Sequence, residues 1–279
     1  MDKLILLSGI LLLSLLFGCN QEEELRYGKL HEHRNSEFVE KDFEVVVEEV
    51  NLDRFYREPS EWGEFVTGVK TRFETNRKEI ALTFDACGGP YGNGFDERLV
   101  NFLREERIPA TLFINKRWII NNEELFLQLA KDPLFQIENH GTEHLPLSVS
   151  GGEAWGIPAT TSPEEVYEEI MNNHETVKEL TGRKMTLFRS GTAYYDEVAV
   201  ELAKELGYQV VNFDVLGDAG ATFSAEQVKN ALLTARPGSI ALLHMNQPAS
   251  GTAEGVVQAI PLLKEKGFEF VLLKDKNLN

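Results

Sequence analysis

The stretch EIALTFD, residues 79–85, decides the fold, because it is a continuous apolar run of strand length that ends on an acid. Similar runs recur along the chain and alternate with segments whose apolar residues repeat at helical spacing. This alternation predicts an α/β fold with a mainly parallel sheet or barrel, and seven strands favour the barrel. The predicted strands are residues 79–85, 110–115, 135–139, 185–190, 208–215, 239–245 and 268–273.

Helical segments fill the intervals between these strands. Ser162 and Ser224 each precede acidic or amide residues in a first turn, which is typical of a helix start. Gly182, Gly207 and Gly267 stand where helices are expected to end. The predicted helices are residues 95–106, 162–180, 195–206, 224–235 and 255–266.

The chain begins MDKLILLSGILLLSLLFGC, residues 1–19, and this pattern indicates an export signal. Lys3 precedes an apolar run, residues 4–17, that is shorter than the roughly 20 residues of a membrane-spanning helix. Residues 16–19, Leu-Phe-Gly-Cys, resemble a bacterial lipoprotein box, in which the cysteine becomes the lipidated first residue of the mature protein. We therefore expect an exported lipoprotein of the bacterial cell envelope, anchored to the membrane through Cys19.

The rest of the chain is expected to divide in two. Residues 20–60 are predicted to form a tether and N-terminal extension, with an edge strand at 43–47, and residues 61–279 to form the main domain. The net charge of -17 excludes a protein that tracks nucleic-acid phosphates, and nothing in the sequence indicates a protein partner. If Cys19 carries lipid, Cys87 has no partner for an intrachain disulfide, and stability must come from the core.

Polar residues stand at the ends of five predicted strands. In a parallel α/β arrangement the carboxyl ends of the strands meet at one edge, where active sites lie. A purely structural barrel does not require such residues there. They are Asp85 after the first strand, His140 and His144 after the third, Arg189 after the fourth, Asp214 late in the fifth and His244 after the sixth.

These residue types suit hydrolysis assisted by a metal ion. The four-residue spacing of His140 and His144, on a loop rather than along a helix, suits ligation of one metal ion. Asp85 can serve as a metal ligand or as a general base on water. His244 can donate a proton to a departing amine at neutral pH. The Gly-rich segment 88–94 lacks the spacing and the Lys-Ser/Thr ending of a phosphate-binding loop.

Taken in order, these residues resemble the motifs of the polysaccharide deacetylases of the NodB-homology type, which form carbohydrate esterase family 4. Five segments carry the resemblance, and they cover about residues 78–273. They are Thr83-Phe84-Asp85, Asn139-His140-Gly141-Thr142-Glu143-His144, residues 188–194 (Phe-Arg-Ser-Gly-Thr-Ala-Tyr), residues 214–218 and Leu242-Leu243-His244.

The resemblance implies a distorted (β/α)7 barrel with an N-terminal extension. It also implies hydrolysis of acetamido groups on an N-acetylated polysaccharide such as peptidoglycan or poly-N-acetylglucosamine. A divalent metal, most often zinc, is implied as the cofactor that activates a water. In that scheme Asp85 removes the proton of the water, His244 protonates the amine, and His140 and His144 bind the metal.

Further roles follow from the same resemblance. Arg189 would orient the base, and Asp214, which begins the fourth motif, would orient an arginine. Tyr194 would offer its backbone N–H to the oxyanion, and Leu242 would line the acetyl pocket. Trp155 lies in the long segment that follows the histidine pair. It either forms a wall on which a sugar ring stacks or only closes the mouth of the barrel.

One departure from the family pattern affects the metal site. Ala86 stands where the family carries the second Asp of its first motif, which is normally the third metal ligand. Two histidines leave a three-ligand catalytic site incomplete. Asp85 is the favoured replacement and Asp96 the next, and a Cys87 thiolate is the third option. The third motif also departs, with Ser190-Gly191 where the family commonly carries proline.

Three functions therefore stay open at this stage. The first is an active N-deacetylase acting on an exported aminosugar polymer. The second, favoured by Ala86, is a metal-poor relative that binds carbohydrate without turnover. The third is a hydrolase of small cyclic amides, since related barrels host that chemistry.

Overall fold

Short strands and helices alternate along the computed structural model, which describes residues 50–274 and 276–279. The strands are β1 (Trp62–Gly63), β2 (Glu79–Ala86), β3 (Ala110–Ile114), β4 (Phe135–Asn139), β5 (Glu153–Ala154), β6 (Ile157–Pro158), β7 (Leu187–Phe188), β8 (Tyr195–Asp196), β9 (Gln209–Val210), β10 (Val215–Leu216), β11 (Ser239–His244) and β12 (Glu269–Phe270). The helices are α1 (Glu97–Glu105), α2 (Lys116–Asn121), α3 (Glu123–Lys131), α4 (Pro163–Thr181), α5 (Glu197–Glu205), α6 (Ala225–Leu232) and α7 (Thr252–Glu265), with a 3-10 turn at Leu52–Phe55.

The main sheet is parallel and curled into an incomplete barrel. Its strands follow the order β10, β11, β2, β3, β4, β7, β9. β12 pairs with the first two residues of β2, a part of that strand that β3 does not reach. This arrangement confirms the distorted (β/α)7 barrel predicted from the sequence.

The predicted strand at 208–215 is in fact two short strands, β9 and β10. Between them the backbone leaves the ladder after Val211, because the backbone N–H of Asn212 donates to the Lys70 carbonyl. The Asn212 side-chain amide then donates to the backbone carbonyls of Glu64 and Ala193. These contacts hold Val211 and Asn212 against the segment that precedes β2, and they interrupt the strand there.

Alternate residues of β2 face two different cores. Ile80, Leu82 and Phe84 belong to the large core between the sheet and the helices. Ala81 belongs to a smaller cluster inside the barrel, with Phe113 among its neighbours. Since side chains alternate along a strand, Thr83 and Asp85 lie on the inner side with Ala81. The acid at the end of β2 therefore points into the mouth of the barrel.

The helix signals in the sequence act as expected. The Ser162 and Ser224 hydroxyls accept backbone N–H groups in the first turns of α4 and α6. Gly182, Gly207 and Gly267 follow helices with positive φ, a conformation that glycine adopts without strain. The five predicted helices are present within a few residues of their expected bounds. Between β3 and β4 the structure adds α2 and α3, which were not among them.

The domain reaches further back than residue 61. The Phe55 side chain is buried in the large core, and Glu197 accepts hydrogen bonds from the backbone of Ser60 and Glu61. Residues 50–60 thus pack on the domain, although they were predicted to belong to the extension. The predicted export signal at 1–19, Cys19, the first part of the tether and the strand at 43–47 lie outside the described residues. Within the described part, no helix is both long and apolar enough to cross a membrane.

Candidate metal centre and active site

The strand register gathers the predicted polar residues at one edge of the sheet. His244 at the end of β11 pairs directly with Asp85 of β2. At the ends of β4 and β7, Asn139 pairs with Phe188, so His140 and Arg189 follow at the same level. The carboxyl ends of these strands therefore bring the acid, the arginine and the histidines together.

Three side chains converge as a potential metal site: Cys87, His140 and His144. One donor atom of each lies within 4.8 Å of the donor atoms of the others. The Cys87 Sγ is 3.8 Å from the His140 Nε2, close to the roughly 3.6 Å between a thiolate and an imidazole that share a tetrahedral zinc ion. Cys87 follows directly after Ala86, and it brings a ligand atom into the group that the alanine cannot supply.

The free nitrogen atoms of the two histidines fit this role. The His140 Nδ1 lies 2.9 Å from the Arg189 carbonyl oxygen, which can only accept, so Nδ1 carries a proton and Nε2 is free to ligate. The His144 Nε2 is buried and makes no hydrogen bond to any described residue. A buried nitrogen without a partner is unfavourable unless a ligand satisfies it. The site thus fits a soft divalent cation such as zinc.

The loop that carries the histidines is held from outside the site. The Glu169 carboxylate on α4 accepts the backbone N–H groups of Thr142, Glu143 and Leu145. Burial raises the pKa of Glu169 to about 7 despite these donors. His144 itself has a positive φ of 65°, a conformation that the surrounding contacts must impose.

Gly191 explains one departure from the family motif. A Cβ atom at this position would overlap the backbone carbonyl of His144 and its ring. Only glycine allows the loop after β7 to lie this close to a metal-binding residue. The glycine in Ser190-Gly191 therefore supports the position of His144.

The Cys87 thiol lies in an environment that favours its ionised form. Burial by itself raises the pKa of the thiol, but the charge of His144 and the proximity of His140 and His244 lower it well below its usual value. The thiolate is the form that binds metals.

Asp85 is held beside this group rather than within it. Its Oδ1 accepts a 2.8 Å hydrogen bond from the Arg189 guanidinium, which is fully buried. The guanidinium also donates to the Thr83 hydroxyl and lies 4.2 Å from the Phe113 ring centroid. The second oxygen of Asp85 is 3.7 Å from the His140 Nε2. This geometry leaves one carboxylate oxygen free to face a reactant.

His244 is paired with an acid that the sequence analysis did not single out. Its Nδ1 lies 2.8 Å from the Asp218 Oδ1, and its backbone N–H donates to Oδ2 of the same residue. Burial opposes charge on the ring, but the Asp218 carboxylate outweighs it and raises the pKa of His244 well above its usual value. The Asp218 pKa is lowered in turn by His244, against the effect of burial. The Asp218 carboxylate therefore favours the protonated form of His244, which can act as an acid.

Two cavities of about 410 and 400 Å³ meet at these residues. They share five lining residues: Trp155, Gly191, Thr192, Gly220 and His244. The first is lined by Asp85 and by an apolar cluster of Leu242, Phe213 and Ala193, and the second is lined by Cys87 and His144. Because they share these residues, the two cavities adjoin at the mouth of the barrel, and together they are called the groove.

The comparison with known protein families decides the membership of this chain. A family model described as polysaccharide deacetylase matches residues 72–211, which is half of the chain. The chain belongs to this family. The resemblance seen in the sequence motifs is thereby confirmed.

Individual deacetylase relatives are distant. An uncharacterized 30.6 kDa protein of Geobacillus stearothermophilus is 26% identical over 227 residues, which are 77% of each protein. A chitooligosaccharide deacetylase of Bradyrhizobium is 22% identical and covers 69% of this chain and 87% of its own. The crystal structure of a family 4 pseudoenzyme from Bacillus anthracis matches with a TM-score of 0.60 at 22% identity, over 72% of this chain and 65% of that one. These likenesses establish the deacetylase fold.

Two predicted residues of the deacetylase site lie elsewhere. Asp214 accepts hydrogen bonds from Ser239 and Ile240, the first two residues of β11, and it also pairs with Arg72. His244 stands at the other end of β11. The Asp214 carboxylate thus closes the opposite end of the barrel. The neighbouring acid that reaches the site is Asp218.

Asp96 is also outside the metal-binding group. Its side chain caps α1 by accepting the backbone N–H of Leu99, the third residue of that helix. It was the second choice for the missing ligand, whereas the third choice, Cys87, is the residue whose donor atom lies near those of His140 and His144.

The aromatic residues divide between the groove and its rim. Trp155 stands in the turn between β5 and β6, is 73% exposed, and lines both cavities. The Tyr194 ring lies 5.8 Å from the ring centroids of both Trp155 and Trp62, and it lines neither of the two cavities. Thr192, two residues earlier, lines both, and its hydroxyl is buried without a partner among the described residues. If the third motif is matched two residues earlier, Thr192 takes the position that the sequence analysis gave to Tyr194.

Proposed function

We propose that this chain is a metal-dependent hydrolase that removes N-acetyl groups from an aminosugar polysaccharide outside the cytoplasm. The observation that carries the proposal is the convergence of Cys87 with His140 and His144 beside Asp85 and His244. One thiolate and two imidazoles form a donor set that zinc accepts in catalytic sites. We therefore propose zinc as the cation and Cys87 as the third ligand.

A divalent cation held there would supply Lewis acidity toward the acetyl carbonyl and a lower pKa for an attacking water. Asp85 would accept the proton of that water. The buried Arg189 orients the carboxylate, because it occupies Oδ1 and leaves Oδ2 toward the reactants. A base in this position needs no movement before the reaction.

His244 would protonate the departing amine. Its Nδ1 is occupied by Asp218, so the other ring nitrogen is the one that faces the groove. The raised pKa keeps the proton on the ring until the amine leaves. Amide hydrolysis requires both a base and an acid. Here Arg189 holds the base, Asp85, and Asp218 holds the acid, His244.

The first cavity would bind the acetyl group. Leu242, Phe213 and Ala193 offer an apolar surface for a methyl group. The Thr192 hydroxyl, which has no partner among residues 50–274 and 276–279, would donate to the carbonyl oxygen as charge develops there. Trp155 would stack against a sugar ring at the rim. The names of the chitooligosaccharide deacetylases among the relatives support an aminosugar substrate.

The proposed location depends on residues 1–19. An export signal with a lipid on Cys19 would place the domain at the surface of the cell envelope, where N-acetylated polymers are found. Residues 20–49 would then be the tether between the lipid and the domain.

The test is acetate release from N-acetylglucosamine oligomers and from peptidoglycan fragments. We expect release by the zinc-loaded protein, its loss after chelation, and its recovery when zinc is restored. His140→Ala should release no acetate under any of these conditions. Acetate release that survives both chelation and His140→Ala would contradict the mechanism.

An inactive, carbohydrate-binding relative is the second candidate. Ala86 favours it, since it removes a family ligand, and a family 4 pseudoenzyme with the same fold is known. Glycan binding by a protein that holds no zinc and releases no acetate would support this second candidate over the first.

A further inference from the structure

We infer that Arg117 forms an anion-binding subsite beside the metal centre and takes the carboxylate of an acidic aminosugar. The inference rests on the proposed function and names a class of substrate for it. Arg117 is the second residue of α2, and its side chain lines the same cavity as Cys87, His144 and His244. A group bound to this guanidinium would therefore belong to the molecule whose acetamide lies at the reactive centre.

The guanidinium of Arg117 is incompletely satisfied by the protein. One of its terminal nitrogens donates to the Cys87 backbone carbonyl at 3.3 Å. Its Nε–H is buried and has no hydrogen-bond partner among the described residues. An arginine offers five donors in a planar fork, and leaving a buried one unpaired is unfavourable. The arrangement indicates a ligand that supplies acceptors.

Arg117 has no acidic partner in the part of the chain that the structure describes. Within residues 50–274 and 276–279, no carboxylate lies within 4.0 Å of its guanidinium, whereas Arg98, Arg104 and Arg189 each pair with an acid. The chain carries 45 acidic residues against 28 basic ones, so acids are plentiful. A single cation left without a counter-charge in a cavity of such a protein attracts an anion from outside.

The Gly-rich segment is shaped around this side chain. A Cβ atom at Gly89 would lie 3.3 Å from the Arg117 Cζ, and one at Gly88 would lie 2.8 Å from the Arg117 Cβ. The φ angles are 70° for Gly88 and 79° for Gly89, values that other residues rarely adopt. The segment is therefore the wall that holds the guanidinium at the cavity.

A carboxylate is the anion that matches this site and this reaction. Its two oxygens pair with the guanidinium fork in a bidentate manner. On an N-acetylated sugar, the carboxylate is present as a lactyl ether on the same ring or as a uronic acid on the neighbouring ring. A neutral chitin-type oligomer would leave Arg117 without a partner.

Titration calorimetry on the zinc-loaded protein tests this subsite. The probes are a disaccharide of N-acetylglucosamine with its lactyl-ether derivative, the methyl ester of the same disaccharide, and a disaccharide of glucuronate with N-acetylglucosamine. Each is titrated into wild type, Arg117→Gln, Arg117→Lys and the control Arg98→Gln, which removes a surface arginine paired with Glu254. Thermal unfolding verifies that each variant is folded.

We expect one of the two acids to bind wild type at least about tenfold more tightly than the methyl ester, with an advantage that falls as salt is added. The acid that shows the advantage identifies the ring that carries the carboxylate. Arg117→Gln should abolish the advantage, Arg117→Lys should retain part of it, and Arg98→Gln should retain all of it.

Equal affinities of acids and ester for wild type would overturn the inference, as would an advantage that persists in Arg117→Gln. If acetate is still released from neutral oligomers in either case, the proposed function survives and only the subsite is lost. If no glycan binds and no acetate is released, both are overturned.

Discussion

The substitution Asp218→Asn separates a positioning role from a structural one. In the native protein the Asp218 carboxylate accepts from the His244 ring, the His244 backbone N–H and the Thr252 hydroxyl. Asparagine keeps one oxygen acceptor and loses the charge. Breaking a buried charged pair in this way costs about 3–5 kcal/mol of unfolding free energy.

The effect on activity follows from the pKa of His244. Asp218 is the strongest of the groups that raise the pKa of the ring, so without its carboxylate the lowering effect of burial gains weight. The protonated acid is then scarce at neutral pH, and we expect kcat for acetate release to fall at least about 100-fold at pH 7. The alkaline limb of the pH profile should move to lower pH.

The stability difference should itself depend on pH. His244 has a raised pKa, so its share of the stability is complete below the ordinary value of 6.5 and is lost as pH rises through the raised value. Asp218 has a lowered pKa, so its share is complete above 3.8 and is lost on acidification. The gap in unfolding free energy between wild type and Asp218→Asn should be widest between pH 4 and 6.5, which urea titrations can measure.

Asp214→Asn provides the matched control. Asp214 is also tied by hydrogen bonds, to Ser239 and Ile240, but at the other end of β11. We expect this variant to lose stability and to keep the wild-type pH profile of acetate release. If Asp214→Asn shifts the alkaline limb and Asp218→Asn does not, the assignment of the two acids is wrong.

Three other substitutions follow from the same geometry. Gly191→Ala should weaken zinc binding at least about tenfold in competition titrations, since its methyl group displaces His144; unchanged affinity would mean that the loop adapts. Trp155→Ala should raise KM for oligomers several-fold with little change in kcat, whereas an equal fall in kcat would argue against a rim contact. Burial raises the Glu169 pKa to about 7, so its protonated form stabilises the fold, and stability falls as pH rises from about 4.5 to 7. Urea titrations measure the drop in unfolding free energy between pH 4.5 and pH 8 for both proteins. In Glu169→Gln this drop should be about 3 kcal/mol smaller than in wild type, because glutamine does not titrate. Equal drops in the two proteins would show that Glu169 does not titrate in this range.

Much of the site follows from the position of polar residues at strand ends. His140, Arg189 and His244 could be placed together because parallel strands end at a common edge. The helices with capping serines and terminal glycines were predictable for a similar reason, since the signals are local. Helix α2 has only 6 residues, and α3 begins after Asn122 without a side-chain cap, so their local signals are weak.

The errors concern the direction in which side chains point. Asp214 and Asp218 lie in one short segment, and the sequence does not show that the chain leaves the sheet at residue 212 and turns one acid away. The choice of Asp96 over Cys87 failed similarly. Asp96 is a helix cap, and that role depends on where α1 begins. Which residue can complete a metal site depends on which donor atoms lie close together in the folded chain, and the spacing of residues in the sequence does not show this.

The role of Cys87 is tested most directly by the zinc content of the purified protein. We predict about one zinc per chain in wild type and in Asp96→Ala after dialysis, because Asp96 lies outside the metal-binding group. In Cys87→Ala we predict an affinity lower by at least about 100-fold and little zinc retained. Full zinc content in Cys87→Ala, with loss in Asp96→Ala, would contradict the proposed centre.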